Sequence, residues 1–260
     1  MRYVVGDIHG CYDKLQSVLD FAKIDFNKDI LYSVGDISDR GEDSDKVLEY
    51  LSNIKEKYPN SLDVVFGNHD VWLYQYLDSV VNGTPIPYDT WDCWYYNGGG
   101  TTTESLRAKP TETLIKYKDF VGNFKSRIVL DKFIIQHSTS EYEDFDLTLE
   151  ETLNTNRIEK YYDECFFSRH AIRSSKAVYG KHAWDYNYKP TEKTMIIGHT
   201  PLVLDKNPPI PIYDKDLNFI CIDTGAFVTK EKYDAVGCLT LLNIDTMEYF
   251  TSDGRNLKIS

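Results

Sequence analysis

Several short turns in this sequence carry side chains that bind metal ions, and each turn follows an apolar run. Asp7 and His9 stand one residue apart in the first turn, directly after the apolar residues 3–5. Asp36 follows a second apolar run, and the remaining candidates are placed in the same way. The candidate ligands at these turns are Asp7, His9, Asp36, Asn68, His69, His137 and His199.

The chemistry of these side chains indicates which metal ions they would bind and which reaction the site would support. Carboxylate, imidazole and amide ligands in one set favour manganese, iron or zinc, whereas magnesium and calcium favour oxygen ligands alone. Two divalent ions roughly 3.5–4 Å apart, sharing one carboxylate such as that of Asp36, can drive an in-line displacement at phosphorus. The ligand set therefore indicates a two-metal site for phosphoryl chemistry.

Strand and helix patterns alternate three times before residue 81, and they position the first of these turns. Apolar runs predict strands at 2–6, 30–34 and 62–66, and apolar residues at helical spacing follow each run. This alternation is typical of a parallel sheet with crossover helices. Because loops at the carboxyl ends of such strands meet at one edge, the turns are expected to lie together. The residues alone therefore predict a three-layer α/β fold.

The pattern is less regular after residue 81. Residues 81–127 are predicted to be an insertion, irregular as far as Pro110 and then helical, with its aromatic residues at 91–96 expected to pack rather than to stack on a nucleobase. The remaining predicted elements are strands at 128–135, 195–197 and 219–222, an acidic loop over 141–151, a helix over 158–166 and a hairpin over 236–251. We interpret residues 1–260 as one domain that contains this insertion.

Composition and charge argue against several classes of protein. The formal net charge of −12 disfavours a broad nucleic-acid interface, because such surfaces need clustered lysine and arginine. The five cysteines form no C-x-x-C pair, and their odd number argues against a disulfide framework. No stretch reaches the roughly 18 apolar residues that a membrane span needs. These features predict a soluble, cytoplasmic protein with no nucleic-acid or membrane partner.

Five segments, in this order, resemble the motifs of a known family. They are Gly-Asp-Ile-His-Gly at 6–10, Gly-Asp-Ile-Ser-Asp-Arg-Gly at 35–41, Gly-Asn-His-Asp at 67–70, Gly-His-Thr-Pro at 198–201 and Asp-Thr-Gly-Ala-Phe at 223–227. The sequence thereby resembles the metal-dependent phosphoprotein phosphatase superfamily, within the calcineurin-like metallophosphoesterases. It is most similar to small bacterial and phage serine/threonine phosphatases and to symmetrical dinucleoside tetraphosphatases. The resemblance implies an α/β fold with a central β-sandwich flanked by helices, in four α-β-β-α layers.

The resemblance also implies how the metal site is divided. Asp7 and His9 would bind the first metal ion, and Asp36 would bridge it to the second. The ligands of the second ion would be Asn68, His137 and His199. Both ions would be divalent, with manganese expected and iron or zinc as alternatives. A hydroxide held between them would attack phosphorus directly.

Substrate-binding residues follow from the same resemblance. Arg40 and Asn68 would bind phosphate oxygens, Arg40 as a bidentate fork. A second phosphate-binding arginine is expected between the last two metal-binding histidines, where Arg169 fits better than its rival Arg173. The segment 94–99 resembles a stretch of bacterial members and is expected beside the substrate cleft.

The resemblance also implies the roles of three catalytic residues, His69, Asp70 and Asp39. His69 would protonate the leaving oxygen as a general acid. Asp70, the next residue, would be the carboxylate that orients His69. Asp39 would steer either Arg40 or a metal-bound water.

The function expected from this site is hydrolysis of a phosphomonoester, with phosphoserine or phosphothreonine in proteins as the substrate. The alternative is a symmetrical dinucleoside tetraphosphate (Ap4A) hydrolase. Asp70 supports it, because most phosphatases of the family have glutamate there while that branch has aspartate, and the start at 6–12 resembles that branch as well. A catalytically silent metal-binding scaffold is the third alternative, and the presence of His69 and Arg40 argues against it.

Overall fold

The computed structural model describes residues 1–139, 147–154, 168–186 and 188–259. In chain order the strands are β1 (Arg2–Val5), β2 (Ile30–Ser33), β3 (Leu62–Val64), β4 (Ile128–Val129), β5 (Phe133–Ile135), β6 (Thr194–Ile197), β7 (Ile212–Asp214), β8 (Phe219–Cys221), β9 (Thr240–Asn243), β10 (Glu248–Thr251) and β11 (Asn256–Lys258). The described helices are α1 (Tyr12–Ala22), α2 (Ser44–Lys57), α3 (Asn68–Asn82), α4 (Tyr88–Trp94), α5 (Gly100–Leu106), α6 (Thr111–Gly122), α7 (Leu149–Asn154), α8 (His170–Ser174), α9 (Lys176–Tyr179) and α10 (Lys230–Tyr233).

The first sheet has the strand order β11-β10-β9-β1-β2-β3. Strands β1, β2 and β3 are parallel, with Val4 paired to Tyr32 and Ser33 paired to Val64. Helices α1 and α2 form the crossovers between them, and their apolar faces pack into the core on this sheet. The parallel arrangement predicted from the first 80 residues is therefore present. Three antiparallel strands from the other end of the chain, β9 to β11, extend it.

The second sheet has the strand order β4-β5-β6-β8-β7, in which β5, β6 and β8 are parallel. It differs from the sequence prediction in two places. The run 128–135 is a hairpin of two short strands, because a turn closed by the bond from the Leu130 N–H to the Phe133 carbonyl (2.8 Å) interrupts it. Strand β7 was not predicted, since only one of its three residues is buried and it leaves no apolar run in the sequence.

The two sheets pack face to face, as the family resemblance implies. One hydrophobic core joins Val4 and Tyr32 of the first sheet to Ile135, Ile196 and Ile220 of the second. Helices α1 and α2 cover the outer face of the first sheet, and α8 and α9 cover the second. The four-layer α-β-β-α prediction is confirmed, and the three-layer sheet expected from periodicity alone is wrong. Local periodicity shows that a strand is buried but does not show which sheet it joins.

The inserted segment is mostly helical, whereas residues 81–110 were predicted to be irregular. Helix α4 continues through one turn of π-helix, Tyr95–Gly99, into α5. Pro87 stands immediately before α4, where a proline costs no helical hydrogen bond. Gly98 takes a φ of +116° at the kink between the two helices. Gly83, Pro87 and Pro110, which make this segment look irregular, therefore lie at helix ends.

Some predictions fall partly or wholly outside the described residues. The helix over 158–166 lies outside them, and so do residues 141–146 of the predicted acidic loop. The described end of that loop is the start of α7. Within the described residues, no helix is both long and apolar enough to cross a membrane. The interpretation of the chain as one domain stays a prediction.

Candidate active site

The predicted metal ligands come together where the two sheets meet, at the carboxyl ends of their strands. All six are buried, with 7% exposure or less. Four of them, together with His69, form two compact groups of donor atoms, His9–Asp36–His69 and Asp36–His137–His199, and within each group these atoms lie within 4.8 Å of one another. Asp36 belongs to both groups, which is what a bridging ligand requires. The assignment of each ligand to an ion stays a prediction.

The imidazole rings of His9 and His137 are oriented for metal binding. Nδ1 of His9 lies 2.9 Å from the Ser38 carbonyl, and Nδ1 of His137 lies 2.8 Å from the Val34 carbonyl. Because a carbonyl oxygen only accepts, Nδ1 must carry a hydrogen, and Nε2 is the nitrogen left to bind a metal ion. The two Nε2 atoms converge on Asp36 Oδ2, at 3.7 Å from His9 and 3.3 Å from His137.

Asp7 and Asn68 are the other two predicted ligands, and they lie beside the two groups. Asn68 Oδ1 lies 3.3 Å from Nε2 of His137. Asp7 Oδ2 accepts a hydrogen bond from the His199 backbone N–H at 2.9 Å. Its other oxygen, Oδ1, is buried and has no hydrogen-bond partner among the described residues. An unpaired buried carboxylate oxygen is costly, and a cation in this place would remove that cost, so the residues fit a bound metal.

Electrostatics support the same conclusion. Burial, and then the neighbouring Asp223, raise the pKa of Asp7 well above its usual range. Burial likewise raises the pKa of Asp223 to about 6. Although burial opposes the charged form of His137, Asp36 raises its pKa to about 9. Burial thus opposes the charged forms of the Asp7 and Asp223 carboxylates, and bound divalent ions would stabilise those forms and displace the proton of His137.

Backbone conformation turns these side chains toward a common point. His9, Asp36 and His199 have φ values of 47°, 51° and 68°, in the left-handed region. Non-glycine residues there cost of order 1–3 kcal/mol each and are concentrated at functional sites. Each of these three residues stands shortly after the end of a strand. The chain reverses direction there, and the side chain faces the edge at which the strand ends meet.

The carboxylate that orients His69 is Asp39, not Asp70 as the sequence predicted. Nδ1 of His69 lies 2.6 Å from Asp39 Oδ2. The Asp70 carboxylate instead accepts backbone N–H groups of Gly67 (2.8 Å), Asp36 (2.7 Å) and Ile37 (3.1 Å). Asp70 stands in the first turn of α3, where a carboxylate naturally binds free N–H groups at the helix start. It therefore fixes the turn that carries Asp36.

Asp39 has a different set of partners from the predicted one. Its carboxylate is buried and accepts from Trp94 Nε1 at 2.7 Å and from Thr102 Oγ1 at 2.6 Å, in addition to His69. The sequence predicted that Asp39 steers Arg40 or a metal-bound water. Among the described residues the Asp39 carboxylate has no hydrogen bond with Arg40, and its role toward a water stays a prediction. Trp94 and Thr102 were missed as site residues. Trp94 lies in a segment that resembles the family, which is a usable signal, whereas Thr102 carries none.

Arg40 lies over the rings of His9 and His69. Its Nη1 is 2.8 Å from His9 Nε2, its Nη2 is 3.0 Å from His69 Nε2, and its Cζ lies 4.3 Å from the centre of the Phe227 ring. Burial, and then the Arg40 charge, lower the pKa of His9 well below its usual range, which keeps that ring neutral as a ligand must be. A guanidinium in this place faces any phosphate drawn to the two groups. Phe227, in the last family segment, was also missed.

A model of the calcineurin-like phosphoesterase family matches residues 2–221. The chain belongs to this family. The prediction of a metal-dependent phosphoester hydrolase is confirmed at the level of the family, whose members use two metal ions. The two donor groups that share Asp36 agree with that requirement.

Curated relatives of this phosphoesterase match it over a limited stretch. A symmetrical bis(5'-nucleosyl)-tetraphosphatase of Aeromonas salmonicida is 45% identical over 76 residues, which is 29% of this chain and 26% of the relative. An enzyme of the same name from Cellvibrio japonicus is 46% identical over 71 residues, or 27% and 25% of the two chains. The matched stretch thus spans about a quarter of the length of these relatives.

Solved structures resemble this phosphoesterase over nearly its whole length. A cold-active protein-tyrosine phosphatase from a psychrophilic Shewanella species has a TM-score of 0.57 at 15% identity, covering 100% of this chain and 80% of its own. A protein assigned as a candidate diadenosine tetraphosphatase has a TM-score of 0.58 at 16% identity, covering 99% and 92%. At these identities the likeness concerns the fold alone, and it confirms the predicted metallophosphoesterase sandwich.

The predicted second arginine of this phosphoesterase lies beside the metal-binding residues. Arg169 Nε donates to Thr200 Oγ1 at 3.3 Å, next to His199 in the chain. Burial, and then Arg173, lower the pKa of Arg169. The rival Arg173 lies 5.5 Å from the Trp184 ring instead. The position of Arg169 agrees with phosphate binding, and its role stays a prediction.

The aromatic cluster of the insertion divides into buried and exposed members. Trp94 is buried against Tyr76 and Trp91, at 5.1 and 5.6 Å between ring centres. Tyr95 is 46% exposed and Tyr96 is 83% exposed. The expected packing therefore applies to Trp94 and in part to Tyr95, which stacks on Trp91 at 6.1 Å between ring centres, but not to Tyr96.

The turn of π-helix at Tyr95–Gly99 holds Arg40 through the backbone. The Arg40 N–H donates to the Gly98 carbonyl at 3.1 Å, and its Nε donates to the Asn97 carbonyl at 3.5 Å. A Cβ at Gly98 would lie 2.6 Å from Arg40 Cγ and 2.8 Å from the Arg40 backbone nitrogen. Only glycine leaves room for the arginine here, and its φ of +116° also favours glycine.

Gly98→Ala is expected to lower kcat/KM for a phosphoester by up to roughly 100-fold, because displacing a binding group by about 1 Å can cost that much. Steady-state kinetics of the metal-loaded protein measure the effect. Gly254→Ala is the matched control, since its φ is +89° and the added Cβ meets no atom within 4 Å. Equal losses in the two variants would contradict displacement of Arg40 as the cause.

Proposed function

We propose that this phosphoesterase hydrolyses a dinucleoside tetraphosphate symmetrically, giving two nucleoside diphosphates. The observation that carries the proposal is the 45–46% identity to two curated relatives that are both named symmetrical bis(5'-nucleosyl)-tetraphosphatase. This supports the nucleotide alternative better than the phosphoserine or phosphothreonine substrate that was expected first. The aspartate at position 70, which that branch shares, points the same way.

The exposed tyrosines support a nucleotide substrate. Tyr95 and Tyr96 lie on the turn whose Asn97 and Gly98 carbonyls contact Arg40. Exposed aromatic rings stack on nucleobases with about 1–3 kcal/mol per base. A phosphate held by Arg40 would therefore have an aromatic surface beside it for the attached nucleoside.

The metal ions proposed for the site are two divalent cations, with manganese favoured and iron or zinc as alternatives. The mixed carboxylate, imidazole and amide donors of Asp36, His137 and Asn68 suit these metals better than magnesium or calcium. When bound, such a pair supplies an activated water and neutralises phosphate charge. Asp7 and His9 would hold the first ion, and Asn68, His137 and His199 the second, with Asp36 between them.

Residues of the chain carry out phosphate binding and proton transfer. Arg40 binds phosphate oxygens with its paired N–H groups and holds the substrate in place. Asp39 accepts the Nδ1 hydrogen of His69, so Nε2 is the nitrogen that takes up a proton and then delivers it to the leaving oxygen. Arg169 lies near Thr200, where it would bind a second phosphate group of the substrate. A tetraphosphate contains such further phosphate groups.

A substrate panel tests the proposal. Metal-stripped protein refilled with manganese, iron, zinc or magnesium is given diadenosine tetraphosphate or a phosphoserine peptide. We expect kcat/KM for the dinucleotide to exceed that for the peptide by about tenfold or more, with ADP as the nucleotide product and manganese as the most effective metal. Preference for the peptide, or release of ATP with AMP, would overturn the proposed function.

A further inference from the structure

We propose that Trp94 and Thr102 are positioning residues that hold the Asp39 carboxylate in the plane His69 requires. The proposal rests on the proposed role of His69 as the proton donor of a phosphoester hydrolase. It does not depend on which phosphoester is the natural substrate. It gives the inserted segment a part in the chemistry, because α4 supplies Trp94 and α5 supplies Thr102.

Both oxygens of the Asp39 carboxylate are held from the insertion. Oδ2 lies 2.7 Å from Trp94 Nε1 and 2.6 Å from His69 Nδ1, so the indole and the imidazole share one acceptor. Oδ1 accepts the Thr102 hydroxyl at 2.6 Å. Asp39, Trp94 and Thr102 are exposed by 1% or less. A carboxylate bonded at both oxygens cannot rotate without breaking one of these short bonds.

The backbone of Asp39 is held by the same hydroxyl. The Asp39 N–H lies 3.0 Å from Thr102 Oγ1 and 3.1 Å from Ser44 Oγ, and the two hydroxyls lie 2.9 Å apart. Asp39 has a φ of 73°, which is unfavourable for a residue with a Cβ and needs support from its surroundings. Thr102 thus fixes the backbone and the carboxylate of Asp39 together.

The indole ring of Trp94 packs tightly against the backbone of Gly99. A Cβ at Gly99 would lie 2.5 Å from Trp94 Nε1, so only glycine lets the ring occupy this position. Asp39 and the residues that hold it are far apart in the sequence. Trp94 lies 55 positions after Asp39, and Thr102 lies 63 positions after it. A buried carboxylate is costly unless donors satisfy it, and Trp94 and Thr102 are two of the donors that do so.

Loss of these donors should affect proton delivery and leave the other steps intact. The carboxylate would turn away from Nδ1, and His69 would lose its fixed orientation toward the leaving oxygen. A general acid matters for a poor leaving group and hardly at all for one that departs without a proton. The effect of Trp94 should therefore depend on the leaving group and should require His69.

The first test is a double-mutant cycle on the manganese-loaded protein with phenyl phosphate and 4-nitrophenyl phosphate. Trp94→Phe and Thr102→Val are expected to lower kcat for phenyl phosphate by about tenfold, a fraction of the full effect of a general acid, and kcat for 4-nitrophenyl phosphate by less than about threefold. In a His69→Asn background neither change should lower kcat further. Trp91→Phe is the matched control for a lost indole, and Thr102→Ser keeps the hydroxyl and should restore activity.

The second readout does not need turnover. In zinc-loaded protein with ¹⁵N-labelled histidine, the Nδ1 proton of His69 is assigned by its loss in His69→Asn. Trp94→Phe and Thr102→Val should shift or broaden this signal, whereas Trp91→Phe and Thr102→Ser should keep it. An unchanged signal in Trp94→Phe, or equal losses of kcat with and without His69, would overturn the positioning role. Hydrolysis of aryl phosphates without cleavage of diadenosine tetraphosphate would instead count against the proposed substrate alone.

Discussion

His69→Asn is expected to lower turnover of phenyl phosphate, which has a poor leaving group, by roughly 100-fold or more, the usual loss when a general acid is removed. Nδ1 of His69 is bonded to Asp39, so Nε2 is the nitrogen left for the substrate. That nitrogen lies 3.0 Å from Nη2 of Arg40, the proposed phosphate-binding group. Asparagine has a similar reach but no proton that it can release at neutral pH.

Leaving-group dependence and metal content together measure this effect. The loss should be large for phenyl phosphate and small for 4-nitrophenyl phosphate, whose leaving group departs without a proton. Because His69 also belongs to the donor group of His9 and Asp36, metal analysis separates an acid from a ligand: an acid variant keeps its metal. His182→Asn, at an exposed histidine, is the control. Unchanged turnover of phenyl phosphate would rule out His69 as the acid.

Asp36→Asn is expected to reduce activity on the order of 10³-fold, because metal ions supply several kcal/mol of transition-state stabilisation and each 1.36 kcal/mol is tenfold in rate. Its Oδ2 faces the Nε2 atoms of both His9 and His137. Its Oδ1 accepts the His69 backbone N–H at 3.0 Å. An amide removes the one negative charge that both donor groups share, so both ions should bind more weakly.

Metal content after dialysis is the direct measurement for this variant. The unaltered protein should retain two ions per chain, and Asp36→Asn should retain less than one. Asp216→Asn makes the same carboxylate-to-amide change at an exposed position and should keep both ions. Thermal unfolding of the metal-free proteins checks that the variant still folds. Full metal content in a folded Asp36→Asn protein would show that Asp36 does not bridge the ions.

Much of the site could be predicted from the sequence because its signals are local. Each ligand turn begins just after an apolar strand, with aspartate, asparagine or histidine one residue beyond the apolar run. The strand ends of an α/β sheet share one edge. Asp36, His137 and His199 were expected together for that reason, and the structure brings their donor atoms within 4.8 Å. The first three strands and their crossover helices were likewise visible in the spacing of apolar residues.

Other features were decided by the tertiary structure, because they depend on contacts between distant segments. Strand pairing made two sheets where periodicity indicated one. The direction of α3 pointed the Asp70 carboxylate at backbone N–H groups, and left Asp39 to pair with His69. The insertion folded back so that Trp94 reaches Asp39 across 55 positions of sequence. The sequence by itself thus determined which residues carry the chemistry, since residue type and the local turn decide that. Only the packed fold decided which groups hold them in place, since a hydrogen bond depends on distances that spacing along the chain does not contain.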